Sequence, residues 1–183
     1  MKVILVGHPG SQHIVPASKY LVTKYLPGFE QVWLNYDGPT KGWSNFVADY
    51  LESIEDKKVI LTLDDYLVNG NYNTEEMMNA FGMPNLCVKL CPNTPQELAE
   101  YPITTQYCLW DKEFLIKILR RTTDPWDFEI NGSAIFKKEY FGAVEVCPCI
   151  PYDVHSCLSR RWTGINFNGL KEEDVNQIKQ LII

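Results

Sequence analysis

A single α/β domain, with a mixed and mostly parallel sheet flanked by helices, is what this sequence predicts, on three observations. Two short runs, KVILV at 2–6 and VILTL at 59–63, are almost continuously apolar and β-branched, as strands covered on both faces are. Segments with apolar residues at helical spacing alternate with them, and Phe46, Val47, Tyr50, Leu51 and Ile54 form one such face. The chain has 183 residues, 45% of them hydrophobic and 13% aromatic. That is enough for one sizeable core and too little for two comfortable ones.

Taken in order, residues 2–6 form the first strand, 18–26 a helix and 31–35 a second strand. A helix over 44–53, capped by its own Ser44, leads into the third strand at 59–63. Thr74 caps a short helix through Phe81, with Glu75 and Glu76 in its first turn, where the helix dipole favours acids. Residues 86–90 form another strand, and a Pro/Asn-rich loop follows at 92–95. A strand at 106–110 feeds a helix over 111–119, and 124–129 reads as an extended segment. The last element, 171–183, opens on acids and carries Val175, Ile178, Leu181 and Ile182 on one face, the pattern of a closing amphipathic helix.

Composition excludes several classes of function. A net charge of −6 disfavours sequence-independent binding to a nucleic-acid backbone, which needs a basic surface to release counterions. No apolar run is long enough to span a membrane, and the apolar start is shorter than the core of a signal peptide, so a cytoplasmic protein is expected. There is no G-x-G-x-x-G and no G-x-x-x-x-G-K-[ST], which disfavours dinucleotide-dependent dehydrogenases and P-loop enzymes. Six cysteines are present, mostly in apolar strand-like segments where free buried thiols are ordinary. Cys147, Cys149, His155 and Cys157 offer four soft ligands, but the gap of one residue within each pair is tighter than the usual zinc spacing of about two to four. Reduced thiols are expected.

Chemistry concentrates after the third strand. KKVILTLDDYL, residues 57–67, ends in two adjacent carboxylates, Asp64 and Asp65, and open α/β sheets place ligands beyond the carboxyl ends of such strands. Paired carboxylates repel each other and are best tolerated beside a cation. Oxygen ligands of this kind suit Mg²⁺ or Mn²⁺ bound together with substrate phosphates. The bland alternative is that the pair simply begins a loop, since Asp is common there.

GWS at 42–44, LDDYL at 63–67, QYCLW at 106–110 and DPWDFE at 124–129 occur in that order. The arrangement resembles a family of small glycosyltransferases with the GT-A fold, a Rossmann-like α/β architecture, found in bacterial surface-polysaccharide clusters and large DNA viruses. The resemblance covers residues 42–136, about half of the chain. It departs from the family at the first turn, where GHPGS at 7–11 replaces a polar S-S-D-like turn. It implies one transferase domain over 1–183, with residues 1–91 as the nucleotide-sugar half and 92–183 as the acceptor half.

The resemblance also implies roles. Asp65 would bind a divalent cation, Mn²⁺ or Mg²⁺, bridging the donor's two phosphates, with Asp64 reaching the ribose or waters around the metal. Glu129 would be the general base for the acceptor hydroxyl, with Asp127 as second candidate. Trp126 and Trp110 are candidates for stacking on a sugar face, although large aromatics are more often core. Gln106 would orient sugar hydroxyls, and Trp43 belongs to the donor-side motif. Gly7, His8 and Ser11 lie in the turn where a nucleotide docks on backbone amides. Arg160 and Arg161 are either a solvated basic pair or a late-chain cation for the diphosphate, Arg161 being the donor-side candidate.

The expected activity is transfer of a sugar from a nucleotide-diphosphate sugar, UDP- or dTDP-linked by preference, to a hydroxyl of a glycan or glycoconjugate, with inversion. Two other readings stand beside it. One is a sugar-nucleotide-binding module of the same fold without catalysis. The other is a metal-dependent phosphohydrolase using the Asp pair, disfavoured because the nucleophilic-Asp pattern follows a first strand and carries a Thr two residues on, where this chain has Leu67.

Overall fold

The computed structural model describes residues 1–7, 13–91, 101–139, 144–153, 167 and 169–181. In chain order the elements are β1 (Lys2–Gly7), α1 (Val15–Tyr25), β2 (Glu30–Asn35), α2 (Trp43–Glu52), β3 (Lys58–Leu63), β4 (Leu67–Val68), α3 (Thr74–Gly82), β5 (Cys87–Lys89), β6 (Cys108–Asp111), α4 (Lys112–Leu119), α5 (Pro125–Glu139), β7 (Val144–Val146), β8 (Tyr152–Asp153) and α6 (Glu172–Leu181). A six-stranded sheet has the order β2-β1-β3-β6-β5-β7, and β4 pairs with β8 in a separate ribbon. β1 runs parallel to β2 and β3, β5 runs parallel to β7, and β6 runs antiparallel to both β3 and β5. The fold is therefore α/β with a mixed, mostly parallel sheet, and strands from both halves of the sequence share it.

The continuous apolar runs follow from this placement. Along β1, Val3 and Leu5 pack into one core with Leu21 and Tyr25 of α1, while Ile4 and Val6 pack into a second core with Val47 and Leu51 of α2. Successive strand side chains point to opposite faces, so a strand with helices on both sides has no solvent face to make polar. β3 divides in the same way, with Ile60 on the first side and Val59 and Leu61 on the second. Because β1 lies between β2 and β3, the chain winds outward in one direction through α1 and in the other through α2. The carboxyl ends of β1 and β3 thus flank a switch point, where open α/β sheets form their ligand crevice.

Several local expectations change. Gly42, not Ser44, is the N-cap of α2, and it makes no side-chain cap bond. Ser44 is buried and accepts a hydrogen bond from Thr122 Oγ1 at 3.2 Å. Asn73, not Thr74, caps α3, its Oδ1 accepting from the backbone N–H groups of Glu75 and Glu76 at 3.1 and 3.2 Å. The largest correction concerns residues 124–129, which are not extended. Pro125 opens α5, and Asp124 Oδ1 accepts from Asp127 N at 2.9 Å across its first turn. A proline at a first helical position, with its fixed φ and missing N–H, suits that start.

The closing helix α6 is fastened to α1 by one buried carboxylate. Asp174 accepts from the Tyr25 hydroxyl at 2.5 Å, Lys24 Nζ at 2.7 Å and the Tyr20 hydroxyl at 3.0 Å. Burial pushes this carboxyl up, but the bonds from Lys24, Tyr25 and Tyr20 outweigh burial and hold it below its ordinary value of 3.8. Its contribution to stability is therefore full above that value and is lost as pH falls from there through the lower folded value. In urea melts, the wild type should lose stability below about pH 4 more steeply than Asp174→Asn. Asp174→Ala, which strands the partners, should cost about 3 kcal/mol at neutral pH, the low end of the range for broken buried pairs because Lys24 is 31% exposed.

Candidate active site

The crevice at the switch point is built around Asp64. Its backbone N–H donates to Val6 O at 3.2 Å, so the chain continues beside β1 for one residue past β3. Its side chain is buried against the end of β1. A Cβ on Gly7 would lie 2.5 Å from Asp64 Oδ2, closer than such atoms approach, so the missing side chain of Gly7 is what leaves room for the carboxylate. Gly7→Ala should displace Asp64 and cost about 1–3 kcal/mol of stability as an overpacked contact, measurable by denaturant unfolding. His8 and Ser11, in the turn that follows, lie outside the described residues.

Asp65 and Tyr66 complete this edge. Burial pushes the Asp65 carboxyl up to about 6; a bond with its own backbone opposes that, and the charge on Glu129 adds to it. Tyr66 is pushed up chiefly by burial and then by the charges on Glu129 and Asp65, while a hydrogen bond shared with Thr105 works the other way. The turn is held from below by Tyr107, whose buried hydroxyl donates to Tyr66 O at 3.1 Å. Asp65 and Glu129 therefore lie close enough for their charges to interact, although Glu129 lies 64 residues beyond Asp65 in the sequence.

Glu129 comes from the second turn of α5 and is held by the segment preceding β6. Its Oε1 accepts from Thr104 Oγ1 at 3.0 Å, Thr105 N at 2.8 Å and Thr105 Oγ1 at 2.8 Å. One turn along the same helix, Ser133 Oγ accepts from Ile103 N at 3.1 Å and donates to Ile103 O at 3.2 Å. Residues four apart on a helix share a face, so α5 is stitched along that face to residues 103–105. Thr105 O in turn accepts from Leu63 N at 3.2 Å, which ties the same segment to the end of β3. Sequence reasoning did not find Thr104, Thr105 or Ser133, because nothing in their local pattern marks them and their importance arises only across the fold.

The other predicted residues divide. Asp127 does not join the acids. Its carboxylate accepts from Thr123 N at 2.7 Å, Thr123 Oγ1 at 3.1 Å and Asn131 Nδ2, all within its own helix start. In a helix, positions two apart face different ways, which separates Asp127 from Glu129. Trp126 is 56% exposed and lies three residues before Glu129 on α5, leaving its ring open to a ligand. Trp110 is fully buried, packed on Phe114 and Phe128, so the expectation that it touches a sugar is corrected. Trp43 is likewise core, edge-on to Phe128 with centroids 6.1 Å apart, so the expectation that it contacts the donor is corrected. Gln106 is half-buried, and its Oε1 accepts from the Cys91 thiol at 3.5 Å. Arg160, Arg161, His155 and Cys157 lie outside the described residues. The five described cysteines are free thiols.

Among the described residues no cluster of three or more His, Cys, Asp or Glu side chains is placed to hold a metal ion alone. Asp64 and Asp65 nevertheless fit a hard divalent cation. They are oxygen donors, one of them under an electrostatic load that a cation relieves. Mg²⁺-type sites typically use one or two carboxylates and complete their shell with substrate phosphates and water.

No protein-family profile matches the sequence, and no curated protein sequence does. Solved structures do match. A glycosyltransferase involved in glycosylation of the major capsid of PBCV-1 superposes with a TM-score of 0.51 at 18% identity, covering 80% of this chain and 82% of that one. A mannosyltransferase from Pyrobaculum calidifontis, in complex with GDP-Man and Mn²⁺, gives 0.53 at 12% identity, covering 82% and 55%. The glycosyltransferase GlyE of Streptococcus pneumoniae TIGR4 gives 0.52 at 11%, covering 79% and 44%. The chain thus spans less than half of GlyE and a little over half of the mannosyltransferase. At these identities the likeness is one of fold, and the chain has the GT-A fold.

Proposed function

We propose that the chain is a glycosyltransferase that moves a sugar from a nucleotide-diphosphate sugar to a hydroxyl of a glycan or glycoconjugate acceptor, with inversion, as a member of the small GT-A family its motifs resemble. One observation carries the reading: Glu129, held by three hydrogen bonds, shares an electrostatic environment with Asp65 at the switch point of a GT-A sheet.

Asp65 and Asp64 would hold Mn²⁺ or Mg²⁺ together with the donor's diphosphate, and the cation would supply positive charge against the leaving group. The chain's own residues do the rest. Gly7 leaves the space that lets Asp64 lie at the crevice. Glu129 takes the proton of the attacking hydroxyl, which raises that oxygen's nucleophilicity as it approaches the anomeric carbon. Trp126, exposed near Glu129 on α5, offers a flat face to the C–H side of an acceptor sugar, and Gln106 orients sugar hydroxyls. UDP- and dTDP-sugars are the favoured donors, with GDP-sugars included because the mannosyltransferase neighbour holds GDP-Man.

The test is release of nucleoside diphosphate from UDP-galactose, UDP-glucose, dTDP-glucose and GDP-mannose, each with Mn²⁺ and a panel of sugar acceptors. Turnover of one nucleotide class is the expected result. Binding of a donor without turnover would replace this reading with a non-catalytic sugar-nucleotide module.

A further inference from the structure

Glu129 carries a lopsided set of hydrogen bonds. All three of its donors converge on Oε1, and among the described residues none reaches Oε2. A carboxylate oxygen offers about two lone-pair directions, so Oε1 is saturated. The bond from Thr105 N cannot reverse, since a backbone N–H only donates. The Thr104 hydroxyl accepts from Gln106 N at 3.3 Å, which aims its single proton at Glu129. The Thr105 hydroxyl has one proton and an ionised carboxylate only accepts, so that proton goes to Glu129.

From this geometry we infer that Thr104 and Thr105 are positioning residues that fix the Glu129 carboxylate so that Oε2 is the oxygen receiving the acceptor's proton. The inference rests on the transferase reading above and specifies how its base is aimed. In the step, the acceptor O–H bond breaks and its proton passes to Oε2. The acceptor oxygen forms a bond to the anomeric carbon, and the bond from that carbon to the phosphate oxygen breaks, its electron pair leaving with the nucleoside diphosphate. A proton arriving at Oε1 instead would face the Thr105 N–H and disrupt the bonds that hold the side chain.

The clamp also sets the distance between base and donor. Thr104 and Thr105 are almost fully buried, and Thr105 O is bonded to Leu63 N at the end of the strand that delivers Asp64 and Asp65. Base and paired acids therefore share one frame. Small displacements in such a frame reduce turnover without altering ground-state binding.

The test compares Thr104→Val/Thr105→Val with Thr104→Ser/Thr105→Ser. It uses whichever of UDP-galactose, UDP-glucose, dTDP-glucose and GDP-mannose the wild type turns over with Mn²⁺ and the same panel of sugar acceptors. The valine pair should lower kcat by about 100-fold with donor KM within about threefold, and the serine pair should restore kcat to within about fivefold. If the valine pair does not fold by near-ultraviolet circular dichroism, Thr104→Val alone, which removes one bond of three, should lower kcat by about tenfold and Thr104→Ser should not. Valine variants with kcat within about threefold of wild type, or with the loss confined to KM, overturn the clamp and leave the transferase reading standing. A wild type that releases no nucleoside diphosphate from any of the four donors overturns both.

Discussion

Glu129→Gln is expected to abolish sugar transfer while leaving the fold and donor affinity intact. The amide keeps one carbonyl oxygen, which can accept the same three hydrogen bonds from Thr104 and Thr105. Its NH₂ group then occupies the place of Oε2, where it cannot accept a proton. The loss of a positioned base corresponds to roughly 10²–10⁴ in kcat, with donor KM unchanged and stability within about 1 kcal/mol of wild type. Glu129→Ala should behave differently. It leaves buried donors of Thr104 and Thr105 without their acceptor, at about 1–3 kcal/mol for each group left unsatisfied. Nucleoside-diphosphate release and urea unfolding, measured on both variants, separate the two effects.

Asp65→Asn is expected to eliminate metal-dependent donor binding and, in the same protein, to raise stability in the absence of ligand. Burial and the nearby charge of Glu129 both oppose ionisation of Asp65, and its pKa is pushed up to about 6 as a result. At neutral pH the folded protein carries a carboxylate in a place that disfavours it. The neutral amide removes that cost and should gain on the order of 1 kcal/mol, about 2–4 °C in Tm for a chain of this size. A site held in readiness for a cation accounts for both effects. If Asp65 were only the start of a loop, the substitution would leave donor binding unchanged.

Much of the fold was legible in the sequence because the central strands are buried on both faces. The runs through β1 and β3 carry no polar alternation to confuse them with surface strands, and the acids after β3 mark where the strand ends. The helix α5 was not legible for a physical reason. Its buried face consists of Phe128, Gly132, Ser133 and Phe136, and two of these four are not apolar, so the helical period is faint. Gly132 is small because Ile118 lies close, a Cβ there meeting Ile118 Cγ2 at 3.1 Å. Ser133 is polar because it bonds to the backbone of Ile103. The Asp124-Pro125 start was the available signal. Misreading this segment as extended left Asp127 and Glu129 as alternative bases, whereas the helix sends Asp127 to its own first turn.

The aromatic residues show the limit of composition-based reading. Trp43, Trp110 and Trp126 all sit in motif segments, yet two of them pack around Phe128 in the core and only Trp126 is exposed. Sequence alone does not separate a tryptophan that supports a crevice from one that lines it. Thr104 and Thr105 pose the opposite problem, since two threonines before a strand look ordinary until a helix from later in the chain brings Glu129 to them.

The central claim, a metal-dependent nucleotide-sugar site at Asp64 and Asp65, is tested most directly by a thermal-shift screen. UDP-, dTDP- and GDP-sugars would each be presented with and without Mn²⁺ to the wild type and to Asp65→Asn, since a ligand that binds only the folded state raises its Tm. The account predicts a rise for one nucleotide class that requires Mn²⁺ and is lost in Asp65→Asn. No rise with any donor, or a rise of equal size without the metal, would contradict it.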